Sequence, residues 1–141
     1  MHAKRFGSAW LGLSIVLALH VADEALTDFL SFYNPTVERL RERFGFWPMP
    51  TFEFEPWITG LAVVVAALLL LTPYAFRGDG WMRPLAYVFG SIMLLNGLGH
   101  SVGSLYFGRL LPGVYTSPLL LIASAYLLMQ APALRPASRN G

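Results

Sequence analysis

The stretch WITGLAVVVAALLLLTPYAF, residues 57–76, decides the fold. It is twenty residues long, carries no charge, and has Trp57 at one end and Tyr74 and Phe76 at the other. At about 1.5 Å rise per residue such a helix crosses a hydrocarbon core of about 30 Å. Aromatic residues at both ends suit the two membrane interfaces. Lipid is therefore the expected solvent for this chain, and the composition agrees. Of 141 residues, 55% are hydrophobic and only 13% are charged, whereas a soluble domain uses about 25% charged residues to cover its surface. The length is that of one domain. The absence of cysteine excludes disulfides, thiolate metal sites and thiol nucleophiles. A net charge of +2 is too small for a nucleic-acid footprint, so no nucleic-acid partner is expected.

Working outward, a polar turn at residues 77–83 precedes a span from Pro84 to about Phe107, and Leu111-Pro112-Gly113 precedes another from about Val114 to Gln130. Pro118 falls near the start of the latter, where proline does least harm to a helix. The first span is apolar only from Phe6 to Leu19 and then reads His20-Val21-Ala22-Asp23-Glu24-Ala25-Leu26-Thr27-Asp28. Either the helix continues through its charges or the segment is a cleaved signal peptide, with Lys4 and Arg5 as its basic start. The helical pattern of the charged continuation favours the first. Asn34-Pro35 reads as a helix cap and first residue, opening a short amphipathic helix that ends at Phe44 and lies on the membrane surface. An aromatic, proline-broken loop follows to Pro56, as a lid or an interfacial anchor.

The expected fold is thus an all-α membrane protein: a four-transmembrane-helix bundle with spans at about 6–27, 57–76, 84–107 and 114–130, a surface helix at about 35–44, and a polar tail at 135–141. Lys4, Arg5, Arg77, Arg83, Arg135 and Arg139 gather on one side, which places both termini in the cytoplasm and makes the chain a multi-pass protein of a cell membrane.

The polar residues of the spans are not scattered. His20, Asp23, Glu24, Thr27 and Asp28 form one helical stripe, and Asn96, His100 and Ser104 form another. Ionisable groups at membrane depth are costly and face a bundle interior or a wet cavity. Glu24 lies 18 residues beyond Phe6 and His100 lies 16 beyond Pro84. If the two spans run the same way, both stripes reach the same depth to within about one turn. Gly97, Gly99 and Gly103 let a neighbouring helix approach. His20, Asp23, Glu24 and His100 offer imidazole and carboxylate ligands suited to a divalent metal, zinc or iron. His20, Glu24 and His100 serve equally as catalytic acid/base groups. Asn96 is expected to hold the other nitrogen of His100, and Arg109 to pair with Asp23 at the outer rim.

In these residues the chain resembles the HxxEE-motif family of small bacterial membrane proteins. The likeness rests on His20-Val21-Ala22-Asp23-Glu24, on Asn96-Gly97-Leu98-Gly99-His100 and on Arg109-Leu110-Leu111-Pro112-Gly113-Val114-Tyr115-Thr116, with Asp23 standing where the family pattern has its first glutamate. The resemblance implies a compact helical membrane protein with a catalytic or metal site, and names no reaction. At the level of architecture alone the chain is also similar to the four-helix sterol isomerases related to emopamil-binding protein.

Three functions fit these residues. The first is a membrane enzyme acting on a lipophilic small molecule. The second is a small proton-coupled transporter, which needs a homodimer to build a pore. The third is an accessory subunit docking a membrane protein partner. The bland alternative, an interhelical polar network that only fixes packing, gives at most about 1–2 kcal/mol in a bilayer, a small gain for burying several ionisable groups.

Overall fold

The computed structural model describes residues 1–133; the polar tail expected at 135–141 lies outside the described residues. The described residues are helical throughout, without a strand. In chain order the helices are α1 (His2–Leu26), α2 (Phe29–Phe44), α3 (Phe54–Leu70), α4 (Thr72–Arg77), α5 (Met82–Phe107) and α6 (Ser117–Gln130), with a 3-10 turn at Ala131–Ala133. Three stretches are long and apolar enough to cross a membrane: α1, α3 with α4 (Phe54–Arg77), and α5. Helix α6 is apolar but shorter. Its 14 residues span about 21 Å at 1.5 Å each. The chain between Gly108 and Thr116 forms turns, so the helix expected from Val114 starts three residues later.

Helix α1 is the centre of the molecule. It packs against α3 and α4 on one side and against α6 on the other, and α5 lies chiefly on α6. The reason is its stripe: Phe6, Trp10, Leu13, Leu17, Val21 and, in the same rows, His20 and Glu24 are all buried. Such i, i+3, i+4, i+7 spacing keeps one face turned to the core. The indole N–H of Trp10 donates to the Leu68 carbonyl at 2.9 Å, just ahead of the break between α3 and α4 at Thr72-Pro73. Ser14 and Ser124 return their hydroxyls to carbonyls of their own helices, at 2.9 and 2.6 Å, so neither buried oxygen is left without a partner.

The surface helix is longer than the sequence suggested. Asn34-Pro35 does not open it: α2 begins at Phe29 and Pro35 lies inside. The break that separates it from α1 is at Thr27-Asp28. The Thr27 N–H and hydroxyl both donate to the Asp23 carbonyl, at 2.9 and 2.6 Å, and Asp28 takes a left-handed φ of 57°. Aspartate tolerates that conformation better than most residues, and its carboxylate accepts the Ser31 hydroxyl at 2.6 Å. Asn34 has another task. Its side chain exchanges two hydrogen bonds with the backbone of Phe52, at 2.9 and 3.1 Å. Arg41 donates to the Met49 carbonyl at 2.6 Å and the Tyr33 hydroxyl to the Pro50 carbonyl at 3.0 Å. Burial pushes the Tyr33 phenol above its ordinary pKa, against the pull of Arg41, which keeps that donor protonated. The proline-broken loop is thereby tied to α2.

Close helix approach is tightest at Gly7, where a Cβ would lie 2.5 Å from the Phe76 ring and 2.8 Å from the Phe76 Cα. Backbone cannot step aside as a side-chain tip can. Gly7→Ala is therefore expected to destabilise the fold by about 1–3 kcal/mol. Gly12→Ala, where nothing lies within 4 Å, is expected to be neutral or stabilising by up to about 1 kcal/mol. Thermal unfolding of both variants in detergent micelles checks the pair, and equal midpoints would contradict the α1–α4 packing.

Candidate metal centre

Three side chains from α1 and α5 meet at one oxygen. His20 and Glu24, one turn apart on α1, are 1% and 5% exposed. His100 reaches them from α5. One ligand atom from each lies within 4.8 Å of the others. Glu24 Oε1 is the hub, 3.0 Å from His100 Nε2 and 3.5 Å from His20 Nε2. The two imidazoles stand edge to face, with centroids 4.8 Å apart and planes at 77°.

The turn between α5 and α6 supplies the third wall. Ser104, one turn beyond His100, accepts a hydrogen bond from the Leu111 N–H at 3.0 Å and so anchors the turn to α5. Pro112 then presents its carbonyl to Nδ1 of His100. Gly113 lies beneath both rings, with φ +82°; a Cβ there would stand 2.8 Å from His100 and 3.0 Å from His20. Both the left-handed φ and the contact with the rings demand glycine. Thr116 closes the wall. Its N–H and hydroxyl both donate to Asp23 Oδ2, at 3.0 and 2.9 Å, and its oxygen lies 2.8 Å from His20 Nδ1.

These partners fix both imidazole tautomers. A carbonyl only accepts, so His100 carries its proton on Nδ1. The Thr116 hydroxyl hydrogen has two acceptors in range, Asp23 at 2.9 Å and the Gly113 carbonyl at 3.5 Å, and the shorter, charge-assisted bond to Asp23 wins. The Thr116 oxygen then accepts from His20 Nδ1–H. Both histidines consequently turn an Nε2 lone pair towards the same carboxylate oxygen, and His20 Nε2 is buried without a hydrogen-bond partner. Three electron-rich atoms in contact in a dry site are unfavourable unless a cation lies among them. A shared proton or a metal ion meets that need.

The donor set fits a metal. Ligands at about 2.0–2.1 Å from tetrahedral zinc stand about 3.3 Å from one another, and the two Glu24 contacts of 3.0 and 3.5 Å bracket that separation. Both non-ligating nitrogens are held, one by Pro112 and one by the Thr116–Asp23 pair, as ligating histidines require. Two histidines and a glutamate leave a fourth position open, which is the ligand count of catalytic zinc.

Other residues sit elsewhere than the sequence suggested. Asp23, expected among the ligands, faces Thr116 and acts on His20 through it. Arg109 makes no ion pair with Asp23 among the described residues; its guanidinium lies 5.9 Å from the Phe32 ring centre. Asn96 does not hold His100, since Pro112 does, and its own side-chain carbonyl is buried with no partner. Glu53 and Glu55 are exposed, as expected of interfacial acids. Sequence reasoning missed Pro112 and Thr116 as site residues. One acts through its carbonyl and the other partly through its N–H, groups that every residue type carries, and the only signal was their place in the run Arg109 to Thr116.

No curated protein and no solved structure matches the chain. Residues 10–128 match the family described as "Protein of unknown function with HXXEE motif". That match takes in His20 to Glu24, His100 and the turn up to Thr116, and this chain belongs to the HXXEE-motif family.

Proposed function

We propose that this protein is an integral membrane enzyme that acts on a lipophilic substrate with a divalent metal, zinc or iron, held by His20, Glu24 and His100. The observation that carries the reading is the pair of imidazoles, each with Nδ1–H engaged and each turning its Nε2 lone pair to Glu24 Oε1. A bound metal supplies Lewis acidity at its open position. The residues around it orient the ligands: Asp23 and Thr116 fix the His20 ring, Pro112 fixes the His100 ring, and Gly113 leaves room for both.

The membrane setting is part of the proposal. Helices α1, α3 with α4, and α5 serve as spans, with α6 a shorter fourth completing the bundle. Both termini face the cytoplasm, as the distribution of Lys4, Arg5, Arg77 and Arg83 suggests. In support, large apolar residues point outward all around the molecule, among them Val63, Leu70, Leu95, Leu105, Ile122 and Met129, while the ionisable cluster lies inside.

Mass-spectrometric metal analysis of detergent-purified protein tests the reading. Wild-type protein prepared without chelator is expected to hold near-stoichiometric zinc or iron, and His20→Ala and His100→Ala to lose it. Folded wild-type protein that stays metal-free after reconstitution with both ions would sink the proposal and leave the shared proton. Thr116→Val, which removes the bridge between Asp23 and His20, is expected to weaken metal affinity by about 10–100-fold. Competition with a chromophoric chelator measures that loss. Gly113→Ala is expected to reduce metal content while helicity, followed by circular dichroism, is retained. Full occupancy in Gly113→Ala would mean that the turn does not set the ring positions.

A further inference from the structure

Beside the cluster, α2 and α5 enclose a cavity of about 250 Å³ lined by Phe29, Phe32, Asn96, Gly99, His100 and Leu111. By the share of about 30 Å³ that a water occupies in the liquid, it has room for several atoms of a ligand. Four of its walls are apolar. Phe29 is fixed by stacking on Tyr33 and Trp57, with centroids at 5.2 and 5.9 Å, and Phe32 by the edge of Phe107 at 5.7 Å. Gly99 contributes no side chain, and a Cβ there would meet nothing within 4 Å. Against this background the Asn96 amide is out of place. Its carbonyl oxygen is sealed from bulk solvent and has no hydrogen-bond partner in the protein. An unpaired buried amide costs about 1–3 kcal/mol, which is why native proteins seldom keep one without a use.

We infer that this cavity binds a lipophilic alcohol, with the substrate hydroxyl on the Asn96 side chain and the hydrocarbon between Phe29, Phe32 and Leu111. The inference rests on the metal-centre reading for its chemistry but not for its binding site. A hydroxyl is the group that fits. It donates to the amide oxygen, and it also accepts, so it satisfies either end of the amide. A carboxylate or phosphate finds no cation on the walls and faces the Asn96 oxygen and nearby Glu24. Asn96 and His100 are one turn apart on α5, with Cβ atoms about 5–6 Å apart. A hydroxyl held at Asn96 therefore sits beside the face of His100 that leads to the proposed metal. Asn96 is thus a substrate-positioning residue and not a catalytic one.

The test uses a long-chain alcohol carrying a photoreactive diazirine, its methyl ether and its amine analogue, each presented to detergent-purified full-length protein. Wild type is expected to bind the alcohol about tenfold more tightly than the ether, the equivalent of one hydrogen bond to an otherwise unpaired buried group. The adducts should map to Phe29–Phe32 and residues 96–100. Asn96→Leu is expected to abolish the preference for alcohol over ether. Gly99→Leu, which fills the cavity without touching its neighbours, is expected to abolish labelling by both. Metal content is measured on the same samples and is expected to be unchanged in both variants. Loss of metal with alcohol preference intact would therefore count against the metal centre and leave the alcohol site standing. Equal binding of alcohol and ether by wild type, tighter binding of the amine, or a preference that survives in Asn96→Leu would overturn the inference. If Asn96→Leu fails to fold, persistence of labelling in Gly99→Leu would overturn it alone.

Discussion

Asp23 accepts two hydrogen bonds from Thr116, one from its N–H and one from its hydroxyl, and the arrangement of the site depends on that contact. It joins the end of α1 to the turn before α6. It orients the threonine oxygen as an acceptor, which sets the tautomer of His20. It also holds the far end of the turn whose near end Ser104 fixes, so that Pro112 and Gly113 come to rest against the two rings. A carboxylate with two N–H or O–H donors is matched well enough to be carried at the end of a largely apolar helix. Without it, the end of α1 would present a charge with no partner.

The two adjacent carboxylates of the motif therefore do different work. Glu24, with the longer side chain, reaches inward to the imidazoles, while Asp23 turns to a partner one hydrogen bond from the backbone of the turn. Neighbouring helix positions differ by about 100° in direction, since a turn holds about 3.6 residues, so the pair cannot serve one point in space. The aspartate that stands where the family pattern has glutamate is the residue with the short-range task. A missing methylene is compatible with that task, because Thr116 comes to Asp23 through backbone as well as side chain.

Most of the cluster was legible in the sequence, because a helix turns spacing into direction. His20 and Glu24 at i, i+4, and Asn96, His100 and Ser104 at i, i+4, i+8, each mark one face, and equal depth in two helices was enough to suggest that the faces meet. Helix positions were legible for the same reason: the apolar runs around Trp57–Phe76 and Pro84–Phe107 fall within α3–α4 and α5. What was not legible depended on backbone. Asn34-Pro35 carries the local signature of a helix start, but the true break is the left-handed Asp28, and the hydrogen bonds that occupy Asn34 come from Phe52, distant in sequence. The Pro112 carbonyl competes for the role given to Asn96, and no side-chain pattern distinguishes a carbonyl that points at a histidine from one that does not.

The outward apolar faces and the buried cluster act on each other. In water, two imidazoles and a carboxylate at these distances would be screened and solvated, and their lone pairs would be satisfied at little cost. Enclosed by Leu17, Val21 and Phe29 at the end of a mostly apolar helix, they have no such recourse, and the demand for a cation among them grows as the surroundings become less polar. The cost of assembling three ligands is borne by packing already present, the long stripe of α1 against α4 and α6. Ligands held this way need little reorganisation when an ion enters, which favours binding. Burial that looks expensive when each residue is considered alone is, for the three together, what would make the site selective for a positive charge.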